Sequence, residues 1–233
     1  MFGLGGNSRL NRRWGNGLIK GIRPLGSNAE ITGYRVVDPG AEFLPGMGAA
    51  LTTLGGKTVV TRHDGSATAP VLGLFINSKT NSFYKATAET FVAGTAPYNI
   101  TLKNANVKDV RITTLSGAAF TGTFTVNTVN GIVNVTVQGN IASGETGIVY
   151  YSYKDLTVVG FDQTLGSGRV AVLESNSEVA LLVYDTSVAY TLGGTVGINA
   201  DGLVSSPGTS PAIGFVTKVP SVNNPELHVQ LRF

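Results

Sequence analysis

His63 and His228 are the only imidazoles in this chain of 233 residues. His63 is followed by Asp64 and Gly65, and a His-Asp neighbour pair of this kind is far more often turn chemistry than a base with its orienting acid. His228 lies in Leu227-His228-Val229-Gln230-Leu231, where alternation puts it on the polar side of a strand. The acids Asp109, Glu145, Asp155, Glu174 and Glu178 are scattered over strands and turns, and no spacing selects two of them as a glycosidase pair. Tyr150, Tyr151 and Tyr153 cluster, with 151 and 153 on one face and 150 on the other. A stacking platform for a sugar or a base is one use of such a cluster, and core packing is the favoured one. No HExxH, EF-hand, P-loop or GxSxG motif occurs. The chain has no cysteine, hence no thiolate and no disulfide framework. The expectation is a protein that is not an enzyme, with no catalytic residue, metal ligand or cofactor.

The charge that is present is unevenly placed. The formal net charge is +3, yet residues 1–29 carry Arg9, Arg12, Arg13, Lys20 and Arg23 and no acid, so the remainder is mildly acidic. This N-terminal stretch shows neither helical nor strand period and reads as an extended basic arm over residues 1–30. Its apolar groups, with Trp14 the sole tryptophan, are many for a free tail. Arg12, Arg13, Trp14, Lys20 and Arg23 are therefore the candidate protein-interface residues. Arginine beside tryptophan is also a nucleic-acid recipe, but five cations are thin for it, and no nucleic-acid role is favoured. The start has no apolar run of signal-peptide length and no stretch is long enough to span a membrane.

Positioning these residues falls to β structure. There are 31 glycines, 13% charged residues and abundant Thr and Val, the composition of many short strands and tight turns. A device is written twice: GGKTVVTRHDG at 55–65 and GGTVGINADG at 193–202. In each, Gly-Gly leads to Thr-Val and then to an Asp-Gly turn, and each is followed by a Pro-x-aliphatic-Gly strand, at Pro70–Phe75 and at Pro211–Phe215. The reading is an all-β fold: a small β-barrel or sandwich with internal duplication, discontinuous over 31–80 and 157–233. Residues 81–156 form an inserted β-sandwich module of Ig-like style. Its clearest element is the hairpin of Thr123–Val137 about Asn130-Gly131, expected as a type I′ turn. That register pairs Val129 with Ile132, Asn127 with Asn134 and Phe124 with Val137. It puts Phe124, Val126, Thr128, Val133, Val135 and Val137 on one face. The terminal strand Leu227–Phe233 is expected to be fixed in a sheet.

The segment Gly193–Gly202, followed by Ser210-Pro211-Ala212-Ile213-Gly214-Phe215-Val216, resembles the small β-barrels of head decoration (capsid cement) proteins of tailed bacteriophages. The middle module, with Gly139–Glu145 between strands, is similar in style to Ig-like domains of phage virion proteins. The resemblance covers about 40 residues closely, and this chain is longer than the short family members. It implies a virion structural protein made in the host cytoplasm. Such a protein binds the major capsid protein on the outer head surface as a homo-oligomer, by preference a trimer. A tail-tube, baseplate or head-completion protein is the second reading, and a carbohydrate-binding β protein the third.

Overall fold

The computed structural model describes residues 22–25, 31–38, 40–76, 84–154, 169–174, 176–206 and 210–233. Every regular element among them is a strand: β1 (Ile22–Pro24), β2 (Ile31–Val36), β3 (Gly48–Leu54), β4 (Lys57–Arg62), β5 (Gly73–Phe75), β6 (Tyr84–Val92), β7 (Tyr98–Thr101), β8 (Val107–Thr114), β9 (Thr123–Asn127), β10 (Ile132–Val137), β11 (Thr146–Lys154), β12 (Arg169–Leu173), β13 (Glu178–Leu181), β14 (Thr195–Ile198), β15 (Val204–Ser205), β16 (Gly214–Lys218) and β17 (Leu227–Leu231). The all-β class read from the sequence is the class observed.

These strands build four antiparallel sheets. One runs β2-β12-β5-β3-β4 and curls into a half-barrel, because Val37, just past β2, bridges Val60 of β4 at the opposite edge. The Asp38 N–H also donates to the Val60 carbonyl at 2.8 Å. Phe43 stacks on Phe75 inside it, with ring centroids 3.9 Å apart. The second sheet runs β1-β13-β17-β16-β14-β15. Its inward positions, such as Leu227, Val229 and Leu231, are fully buried and alternate with outward His228 and Gln230.

Residues 84–154 form a two-layer sandwich of sheets β7-β10-β9 and β6-β11-β8 around Phe91, Ile100, Val133, Val135, Val149 and Tyr151. The run Gly147–Ser152 in β11 is buried at every position. A continuous apolar strand of this kind needs cover on both faces. Val149 and Tyr151 fill the sandwich core, whereas Ile148 and Tyr150 on the other face form a cluster with Ala88 and Val222 of the body. The tyrosine cluster is thus divided between a core and a docking surface.

Two local expectations are corrected. The hairpin forms, but its register is two residues away: Ile132 pairs with Asn127, Val133 with Val126 and Val135 with Phe124. The loop is Thr128–Gly131, closed by a bond from the Gly131 N–H to the Asn127 carbonyl at 3.0 Å and capped by Asn127 Oδ1 on the Asn130 N–H. Among these residues only Gly131 has positive φ, so the turn is not type I′. A shift of two preserves the faces of the strands, so Val133 and Val135 remain in the core. Thr128 falls into the loop, and a bulge after Val135 turns Val137 out to 55% exposure. The second correction lies in the arm. Ile22–Pro24 is a strand, paired with β13 through Ile22↔Leu181 and Pro24↔Val179, and Ile22 is 1% exposed. Three residues are too few for a period to show in the sequence.

The duplicated device meets itself in space. Gly65 and Gly202, at φ +79° and +78°, abut reciprocally. A Cβ on Gly65 would stand 2.7 Å from the Asn199 carbonyl carbon, and one on Gly202 2.6 Å from Arg62 Cγ. Residues 62–63 and 199–200 occupy equivalent places in the two copies, so the contact has local two-fold character. The strand neighbours differ, however. β4 pairs with β3, which separates it from β5, whereas β14 pairs directly with β16. The copies share a turn and a joint but not a topology, because Gly55-Gly56 closes a hairpin while Gly193-Gly194 leads in from a loop.

Candidate functional site

The outward face of the six-stranded sheet gathers charge. Register places Arg23 of β1, Ala180 of β13 and His228 of β17 in one row, with Glu178 and Gln230 in the next. Arg23 Nη2 lies 2.8 Å from Glu226 Oε2. The same oxygen is 3.5 Å from His228 Nε2, which makes no hydrogen bond there, and His228 Nδ1 is 4.0 Å from Glu178 Oε1. Thr217 donates its hydroxyl to that Glu178 oxygen at 2.6 Å. Beyond them the Arg232 guanidinium sits over the Phe215 ring at 4.7 Å. Arg23, Glu226, His228 and Glu178 thus adjoin one another across β1, β13 and the start of β17, with the Arg23 side chain 45% exposed. Such a face suits polar contact with another macromolecule.

A second polar cluster lies where the sandwich docks on the body. Thr186, 1% exposed, donates to the Asp109 carbonyl at 2.6 Å and meets Ser152 Oγ at 3.3 Å. The Arg111 Nε donates to the Thr186 carbonyl at 3.3 Å while its guanidinium stacks on Tyr150 at 4.2 Å. Neighbouring Asp185 is saturated: it accepts from the Ser187 N–H and hydroxyl, from Asn199 Nδ2 and from the Ser205 hydroxyl. Burial lowers the Arg111 pKa from its usual value. Burial also raises that of Asp109, partly opposed by Lys108 Nζ at 3.3 Å and reinforced by Asp185 and Asp201. Burial pushes the Tyr184 and Tyr190 hydroxyls up as well. These groups hold two units together and are satisfied by one another, and within this cluster Asp109 Oδ2 is buried without a hydrogen bond, faced by Lys108 Nζ.

His63 is fully buried and fixed in one tautomer. Its Nδ1 accepts from the Gly65 N–H at 2.9 Å and its Nε2 donates to the Ala69 carbonyl at 2.8 Å. Both nitrogens serve the turn that seats Gly65, the structural use expected for this His-Asp-Gly.

Of the candidate interface residues, Arg23 belongs to the charged outward face, and Arg12, Arg13, Trp14 and Lys20 lie outside the described residues. Among the scattered acids, Glu178 is on that face, Asp109 is at the docking seam, and Glu145 caps the Ala142 N–H at the far end of the sandwich. They do not converge, and Asp155 lies outside the described residues. Glu145 and Leu115 line a shallow cleft of about 400 Å³. Reading by residue type missed Thr186 and Arg111, whose partners are far away in the chain. The local Asp185-Thr186-Ser187 spacing, an Asx turn, was their only signal. Comparison with protein families, with curated proteins and with solved structures found no match.

Proposed function

We propose that this chain is a virion structural protein that binds the outer surface of a capsid lattice and stabilises the head, as decoration proteins do. The observation that carries the reading is the segment Gly193–Phe215. Its turn-and-strand pattern resembles that of the cement proteins, and its Asp-Gly turn serves as a rigid joint against Arg62 and His63. The partner is the major capsid protein, and the assembly a homo-oligomer, by preference a trimer. Arg12, Arg13, Trp14, Lys20 and Arg23 form the contact. In support of that contact, Arg23 is anchored by Glu226 yet keeps an exposed guanidinium on a charged face. Modest contacts of this kind gain strength when repeated over many copies. The test is fractionation of particles from the organism that encodes the chain, followed by a reconstruction of those particles. Co-migration with full heads and density on their outer surface are expected. Recovery in the free protein fraction, or with tails alone, overturns the proposal.

A further inference from the structure

The sandwich has four edge strands, and three are guarded against pairing. The Ala86 N–H of β6 is bonded to the Leu182 carbonyl of the body at 2.7 Å. β7 is four residues long and opens directly after Pro97. β8 carries Lys108, Asp109 and Arg111 and a register irregularity. β9 reads Thr-Phe-Thr-Val-Asn, with no charge and no proline, and among the described residues no strand pairs with it beyond β10. Native proteins usually blunt such edges, because a row of free N–H and C=O groups is a template for another strand.

The free groups on β9 can be assigned. The Thr123 carbonyl accepts from the Thr136 hydroxyl and the Asn127 carbonyl from the Gly131 N–H, so the odd-numbered residues turn their backbone groups toward β10. By alternation, Phe124 and Val126 turn N–H and C=O outward. The next outward carbonyl, that of Thr128, is taken by the Val107 N–H at 2.8 Å. Among the described residues this leaves four backbone groups without a bond.

We infer that β9 is an interaction edge whose occupant is β9 of a second copy, antiparallel about a two-fold axis at Thr125. In this register Phe124 opposes Val126 of the other copy and each pair exchanges both bonds, so all four free groups on each strand are used. Antiparallel registers centred on Phe124 or Val126 use only half of them. The side chains agree with it. Half-buried Phe124 and Val126 meet on the core side and become covered, exposed Thr123 meets Asn127 on the outer side, and no like charges oppose. The strand bears no charge that would select a foreign partner. The contact is short beside a standard interface of about 1,600 Å², so it is weak for an isolated pair. It does not depend on the capsid reading, since it concerns two copies of this chain alone.

Thr125 is exposed and central, which gives a direct test on the full chain. The chain contains no cysteine, so Thr125→Cys introduces a single thiol. Facing residues in a non-hydrogen-bonded antiparallel pair have Cα atoms about 4.5 Å apart, within disulfide range. Under mild oxidation with copper phenanthroline, T125C is expected to give a disulfide dimer. Asn127→Cys, which faces Thr123 in this register, is expected to remain at least tenfold less crosslinked. In sedimentation velocity over a concentration series, the wild-type coefficient rises, T125K and T125E stay flat, and their equimolar mixture rises again. Equal crosslinking of T125C and N127C overturns the inference, as does a flat wild-type series or a mixture that stays flat. Unchanged circular dichroism of each variant confirms that the monomer fold is intact.

Discussion

Two glycines with left-handed backbone separate conformational strain from steric overlap. Gly131 and Gly144 have φ of +67° and +88°. A Cβ on Gly144 would meet nothing within 4 Å, whereas one on Gly131 would overlap the Asn104 carbonyl oxygen. The Gly131 carbonyl also accepts from the Leu102 N–H at 2.8 Å, so the loop cannot swing away without losing that bond. Gly144→Ala costs only the left-handed conformation, about 1–2 kcal/mol. Gly131→Ala costs the same strain plus the overlap, about 1–3 kcal/mol for forcing atoms into a packed site, or about 2–5 kcal/mol together. At about 2–4 °C per kcal/mol for a chain of this size, Tm falls by roughly 2–8 °C for the first and roughly 4–20 °C for the second. Differential scanning calorimetry of both variants and the parent measures the difference. If G131A loses no more than G144A, the close approach of Asn104 is wrong and the hairpin register that seats it falls with it.

Tyr150→Ala removes the ring shared by the docking cluster and the Arg111 stack. A loss of about 3–5 kcal/mol is expected, with the single calorimetric transition splitting as the sandwich uncouples from the body. Asp109 has a raised pKa, so its ionised form is disfavoured in the fold. Its cost is absent at pH below the ordinary aspartate range, appears as pH rises through that range, and persists at neutral pH. Asp109→Asn also suits φ +55°, so it should raise Tm at pH 7, and the gain should vanish on acidification in a pH series of melts. Deleting residues 1–21 removes none of the described strands, whereas deleting 1–25 also removes β1 and buried Ile22. The longer truncation should lose about 2–5 kcal/mol more by urea unfolding.

The sequence by itself determined the class and most of the strands. Alternation in Leu227–Leu231 and Thr123–Val137 survives in the fold because one buried face dictates a period of two. The sequence also indicated that His63 serves a turn, since Asp-Gly next to it supplies the positive φ that the ring then caps. What the sequence could not carry is which strand lies beside which. A four-residue loop and a two-residue turn leave the same residues facing inward, so the pattern in Thr123–Val137 fits both, and the loop's contacts with Leu102, Asn104 and Val107, distant in sequence, go with the four-residue form. The three residues of β1 owe their strand to pairing with β13, more than 150 positions away. The polar groups of Arg23, Glu226, His228 and Glu178 come together for the same reason: long-range hydrogen-bonded register decides their neighbours, and register is a property of two strands at once.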